Sequence, residues 1–193
     1  MKHTNLTASA LMALKQPNEL VNLFEQYALA SGEKKIVNRM VADVTRVHGK
    51  KVAGSTTVSF FDNYTTGDAS NWAGQNTTLP EGQPLLVTGI RILAGVNATV
   101  NATQWVAGLS SGELLNGNLT ITCQKVKLRA YPHEEFFANT TTTETSKNGY
   151  VELSQPIFIN SQMAFNVVLN FDVAPATANQ NVCVELIGIG TIS

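Results

Sequence analysis

Every second residue from Met163 to Val173 is apolar: Met163, Phe165, Val167, Leu169, Phe171 and Val173, with Ala164, Asn166, Asn170 and Asp172 among those between them. A period of two sends alternate side chains to opposite faces of an extended chain. The segment therefore predicts a strand with one face in a core and the other largely wet. Such a strand needs partners along its edges and a second apolar layer against its inner face, so it cannot stand alone.

The rest of the chain after Lys51 supplies those partners. Short apolar runs punctuated by Gly, Pro, Asn and Thr predict further strands at 56–61, 85–93, 104–109, 118–131, 150–153, 157–159 and 182–192. In 118–131 the apolar phase changes from Leu119, Ile121 and Cys123 to Val126, Leu128 and Ala130. A β-bulge near Gln124-Lys125 accounts for that slip. Strands with no helical periods between them exclude a parallel βαβ architecture and favour an antiparallel sandwich or barrel. The expected fold is mainly β, a single eight-stranded jelly-roll sandwich spanning 51–193. The connections at 62–84 and 132–148 are long for a compact domain, which points to functional or interface-forming loops.

Ahead of Lys51 the spacing is different. Leu20, Val21, Phe24, Tyr27 and Ala28 form one stripe at helical intervals after Pro17, and Ser31-Gly32 interrupts it. A second stripe runs Ile36, Val37, Met40, Val41, Val44, Val47, with Gly49 where a helix would stop. These predict an N-terminal arm over 1–50, a pair of amphipathic helices, and a sandwich able to fold without it. The arm holds seven Lys/Arg against four Asp/Glu, and the remainder six against ten. Neither imbalance makes a polybasic segment, and the net charge of -1 gives no field that would gather nucleic acid or anionic lipid.

Reactive groups are scarce. The histidines are His3, His48 and His133, of which His48 is read as the favourable cation at a helix C-terminus. Cys123 and Cys183 read as reduced, mostly buried thiols. No nucleophile elbow, phosphate loop or dinucleotide fingerprint occurs. The oxygen-rich run from Asp62 to Asp68 fails the EF-hand pattern at Tyr64 and Thr66. Trp72 and Trp105 stand apart from other aromatics, which suits a buried or interface anchor better than a sugar-stacking platform. The expectation is a chain with no catalytic, cofactor-binding or metal-binding residues and no small-molecule substrate.

Val58-Ser59-Phe60-Phe61, a polar loop, and Asn76-Thr77-Thr78-Leu79-Pro80-Glu81-Gly82-Gln83 running into Leu86-Val87-Thr88-Gly89-Ile90-Arg91 resemble the front of the jelly-roll capsid and vertex proteins of tailless icosahedral bacteriophages with an internal membrane. Val182-Cys183-Val184-Glu185-Leu186-Ile187-Gly188 is similar to the last strand of that fold. Many major capsid proteins of such phages carry two rolls per chain; this chain has room for one. The resemblance implies a virion protein, a major capsid or penton subunit made in the host cytoplasm, whose partners are copies of itself and other capsid proteins. It also implies N-terminal helices that touch neighbours, an internal membrane or the genome. Interface candidates are then Leu20, Phe24, Ile36, Met40, Val44, Trp72 and Trp105. The competing class is a non-catalytic β-sandwich module that binds a sugar or a receptor.

Only 14% of the residues are charged, against about 25% in an ordinary domain. Asn, Thr and Ser stand where charges would be, which suits surfaces covered by neighbours, because an amide or hydroxyl is cheaper to bury than an unpaired charge.

Overall fold

The computed structural model describes residues 17–33, 40–62, 68–71, 78–106, 114, 116–123, 126–132, 136 and 149–192. Among the described residues one α-helix precedes a set of antiparallel strands. Helix α1 spans Pro17–Ala30. Its end is fixed by Gly32 at φ 83°, with the Glu33 N–H donating to the Ala28 carbonyl at 2.9 Å and the Gly32 N–H to that of Leu29 at 3.2 Å. This is the paired closure by which a left-handed glycine satisfies the last helical carbonyls.

The strands are β1 (Met40–Lys51), β2 (Thr57–Phe60), β3 (Ala69–Ser70), β4 (Leu85–Val96), β5 (Gly117–Cys123), β6 (Val126–Pro132), β7 (Tyr150–Ile159), β8 (Phe165–Phe171) and β9 (Gln180–Ile192). A short 3-10 turn at Val100–Ala102 follows β4. One sheet runs β3-β1-β9-β4-β7 and the other β2-β8-β5-β6. Every ladder between these strands is antiparallel.

β1 corrects the second expected helix. Residues 40–51 pair with β9 without a break, from Met40 opposite Ile192 to Lys51 opposite Asn181. The positions Met40, Val41, Val44 and Val47 satisfy a helical spacing, but Val41, Val44, Thr45 and Val47 are β-branched and prefer a pleated surface. A twelve-residue ladder to a central strand decides between the two. The boundary expected at 50/51 accordingly falls inside β1, and His48 lies within a strand rather than at a helix end. Residue 36 lies outside the described residues.

Two further elements differ from expectation. The phase slip in 118–131 marks a chain reversal: β5 and β6 are separate strands paired from Asn118 opposite Pro132 to Cys123 opposite Val126, with a register shift between Ile121 and Thr122. The runs at 150–153 and 157–159 belong to one strand, β7, which accommodates Pro156 at the edge of its sheet. From 104–109 a single bridge, Val106 to Ala94, is present among the described residues.

The main core lies between the sheets. Phe165, Val167, Leu169 and Phe171 of β8 and Leu119 and Ile121 of β5 meet Val182, Val184 and Leu186 of β9 and Ile90 and Ile92 of β4. The buried positions of β8 are the four odd-numbered residues, as its alternation predicts. β4 changes face part-way: Leu85 and Val87 join this core, a bulge shifts the register between Val87 and Gly89, and Ile90, Ile92 and Ala94 join it after the shift.

A second, smaller core lies on the other side of the β1-β9-β4-β7 sheet. There Phe24 and Ala28 of α1 pack on Leu86 and Ile189, flanked by Leu20, Leu23, Val41 and Phe158. Tyr27 stacks on Phe158 at 5.7 Å between ring centroids. Glu33 then pins the segment after the helix, accepting from the Ser161 N–H at 2.6 Å and its hydroxyl at 2.8 Å. The helix is thus a lid on its own sheet, and burying a side chain such as Phe24 there contributes roughly 1.5–3 kcal/mol.

Candidate functional site

Along β1 the alternate residues Val44, Arg46, His48 and Lys50 form one row. Val44 belongs to the main core, and the three basic residues after it all reach the connection between β2 and β4. Arg46 donates from Nη2 to Gln83 Oε1 at 3.1 Å. Lys50 Nζ forms an ion pair with Asp62. Between them the His48 ring is wholly buried, edge-on to Phe60 and Phe61 at 6.1 and 5.8 Å between centroids.

Both ring nitrogens of His48 have partners. The Phe61 N–H donates to Nδ1 at 2.8 Å, so Nδ1 carries no proton. Nε2 lies 3.3 Å from Asp68 Oδ2 and is the protonated nitrogen, donating to the carboxylate. Burial pushes the imidazole below its ordinary value of about 6.5, against the upward pull of the Asp68 hydrogen bond; the charge on Lys50 lowers it further. At neutral pH the contact with Asp68 is therefore a hydrogen bond from a neutral ring and not an ion pair.

The same connection is laced to the edge of β1. β3 pairs with it at His48–Ser70 and Gly49–Ala69. Asn71 then continues the ladder with its side chain: Oδ1 accepts from the Val47 N–H at 2.7 Å, and Nδ2 donates to the Thr45 carbonyl at 2.8 Å. An amide side chain here does what a longer strand would do, continuing the pairing along the edge of β1. Phe61, where the connection starts, has φ 58°, a left-handed conformation that costs a bulky residue roughly 1–2 kcal/mol. Its buried ring, 6.2 Å from that of Phe165, and its bond to His48 hold it there.

The sequence-derived candidates fall in several places. Phe24 and Leu20 are engaged with the chain's own sheet, and Val44 is in the main core, so their apolar surface is used within the molecule. Met40 is 66% exposed at the start of β1. Trp105 packs its ring over Gly49, where an added Cβ would lie 2.7 Å from a ring carbon. It covers the outer face of β1, close to where Asn181 secures the same loop by donating from Nδ2 to the Asn97 carbonyl and the Thr103 hydroxyl, each at 2.8 Å. Residue 72 lies outside the described residues. The structure therefore does not gather these positions into one patch.

The thiols are ill suited to chemistry. Burial pushes Cys183 up to about 12, with the charge of Glu185 adding to the shift, and burial raises Cys123 as well. A thiol held protonated is a poor nucleophile. Among the described residues no group of His, Cys, Asp and Glu is arranged to hold a metal ion, and no helix is long and apolar enough to cross a membrane. Asp62 and Asp68, the ends of the oxygen-rich loop, face Lys50 and His48 respectively.

The His48 cluster is the feature that the sequence hid. Its signal was the alternation Val44, Arg46, His48, Lys50, visible once the segment is read at a period of two. No known protein family matches this chain, and no curated protein matches it.

Proposed function

We propose that this chain is a jelly-roll structural subunit of an icosahedral viral shell, a major capsid or penton protein that works by self-association. The observation that carries the reading is the nesting of the strands. With the two-residue β3 set aside, eight strands remain, and the first pairs with the last (β1 with β9), the second with the seventh (β2 with β8), the third with the sixth (β4 with β7) and the fourth with the fifth (β5 with β6). A ribbon of four antiparallel pairs rolled into two sheets has this order, which supports the jelly-roll reading.

Capsid subunits, lectins and cupins share that fold, so the role is chosen on surfaces. The outer face of β2, β8 and β5 supports assembly; on β6, at the edge of that sheet, Lys127 is the residue opposite Thr122. The face presents Thr57 and Ser59 from β2, Asn166, Val168 and Asn170 from β8, and Asn118, Thr120 and Thr122 from β5, with Asn118 opposite Asn170 and Thr122 opposite Asn166. None of these eight is ionisable. A neighbour can cover such a face without stranding a buried charge, and interface centres are depleted of charge for that reason. Copies of the same chain and other shell proteins are the partners under this reading.

The test is sedimentation velocity on the full chain at micromolar concentrations, beside a Thr120→Arg, Val168→Glu double variant. Concentration-dependent closed oligomers that the variant loses while keeping its β spectrum support the reading. A monomer at every concentration that also binds on a glycan array supports a sugar-binding module instead.

A further inference from the structure

We propose that His48 is a proton-operated clasp: protonation of its imidazole releases Phe61, Asp68 and the short strand β3 from the edge of β1 while the rest of the sandwich stays folded. The clasp is independent of the shell reading, since it rests on one side chain and what it touches.

The geometry is that of a group whose two nitrogens do different jobs. Nδ1 accepts from the Phe61 N–H at 2.8 Å, and Nε2 faces Asp68 Oδ2 at 3.3 Å. An imidazolium has a proton on both nitrogens. Its Nδ1–H would then confront the Phe61 N–H, donor against donor, inside a pocket walled by the Phe60 and Phe61 rings. Of the two contacts only that with Asp68 gains from the new charge, and the charge of Asp62 favours the cation as well.

The charged groups around the ring come from three segments. Asp68 precedes β3, Asp62 follows β2, and Lys50 lies two residues along β1, paired with Asp62. Arg46, two residues back, is turned to Gln83, and β9 contributes the apolar Val184 opposite. The loss of water and the charge of Lys50 oppose the cation; Asp68, by its hydrogen bond and its charge, and Asp62, by its charge, favour it. The balance falls on the side of the neutral ring, in keeping with the lowered proton affinity of His48.

The direction of the pH response follows. In the closed state the ring stays neutral below the ordinary histidine value, whereas a released ring takes up a proton near pH 6.5. As pH falls from there, the released population grows by up to about tenfold per pH unit, until the closed ring itself protonates. Release also frees Phe61 from its left-handed conformation, and nothing in the main sheet ladders has to break.

Amide hydrogen exchange read by NMR tests this between about pH 7.5 and pH 5, a range that brackets ordinary histidine titration. After correction for the intrinsic pH dependence of exchange, the Phe61 amide and the Val47 amide that bonds Asn71 should lose protection as pH falls below 6.5, by up to about tenfold per pH unit. Val167 and Val184, in the central ladders, should not change. In His48→Gln the pH response should vanish; in Asp68→Asn it should remain with its midpoint at lower pH, because a carboxylate that favours the cation is gone. If His48→Gln does not fold, the imidazole nitrogen resonances of the unaltered protein decide: an Nε2–H tautomer at neutral pH that titrates in step with loss of Phe61 protection supports the clasp. Constant Phe61 protection down to pH 5, a pH response that survives in His48→Gln, or an Nδ1–H tautomer would overturn it.

Discussion

Gly188 shows how tightly single residues fix this fold. A Cβ there would lie 1.9 Å from the Leu86 carbonyl oxygen, and because that neighbour is backbone, nothing can rotate aside. Gly188→Ala should therefore destabilise by at least the ~1–3 kcal/mol typical of an overpacked core, read as a lower urea midpoint. A midpoint unchanged from that of the parent chain would mean that β9 and β4 can separate locally. Phe165 is the converse case, a large side chain in the main core, and Phe165→Ala should cost ~3–5 kcal/mol by leaving a cavity. Asn166, on the opposite face of the same strand and half-buried, with an Oδ1 that accepts no hydrogen bond among the described residues, should tolerate substitution to within ~0.5 kcal/mol. This contrast was legible in the sequence because one face of β8 is core and the other is not, so composition alone records the geometry. The pairing of His48 was not legible. Its partner Asp68 is twenty residues away and reaches it only through the path of a loop, so no local pattern marks the pair.

At the scale of elements, α1 earns its place by covering a sheet that would otherwise expose Leu86, Ile189 and Phe158. Phe24→Ala should cost roughly 3 kcal/mol, the low end for such a truncation because a surface helix can shift to close part of the gap. The measurement is the unfolding midpoint together with binding of a hydrophobic dye, which should rise as the outer face is uncovered. Exposed Glu25→Ala on the same helix should leave both unchanged. Helix α1 could be read from its stripe and from the Ser31-Gly32 stop, whereas β1 could not. Met40, Val41, Val44 and Val47 satisfy a helical period, while Met40 and Val44 also share a strand face with Arg46, His48 and Lys50, and Val41 and Val47 the opposite one; pairing with β9 decided between them. The β5–β6 reversal was missed for a related reason, since Gln124-Lys125 lacks the glycine or asparagine that usually announces a tight turn.

For the whole molecule, the position of β1 between β3 and β9 sets what truncation does. Removing residues 1–39 should leave a cooperatively folding sandwich of lower stability, stripped of α1 but with its strand ladders intact. Removing 1–50 takes β1 away, opens the edge of β9 and deletes His48, so cooperative unfolding should be lost. Equal melting behaviour of the two truncated chains would show that β1 is dispensable. The central claim is that the intact chain works by closing on copies of itself, through faces poor in charge. Native mass spectrometry of the full chain at micromolar concentrations tests it most directly: the account predicts discrete multiples of the 20.8 kDa subunit whose population grows with concentration, and a spectrum of monomer alone at every concentration would contradict it.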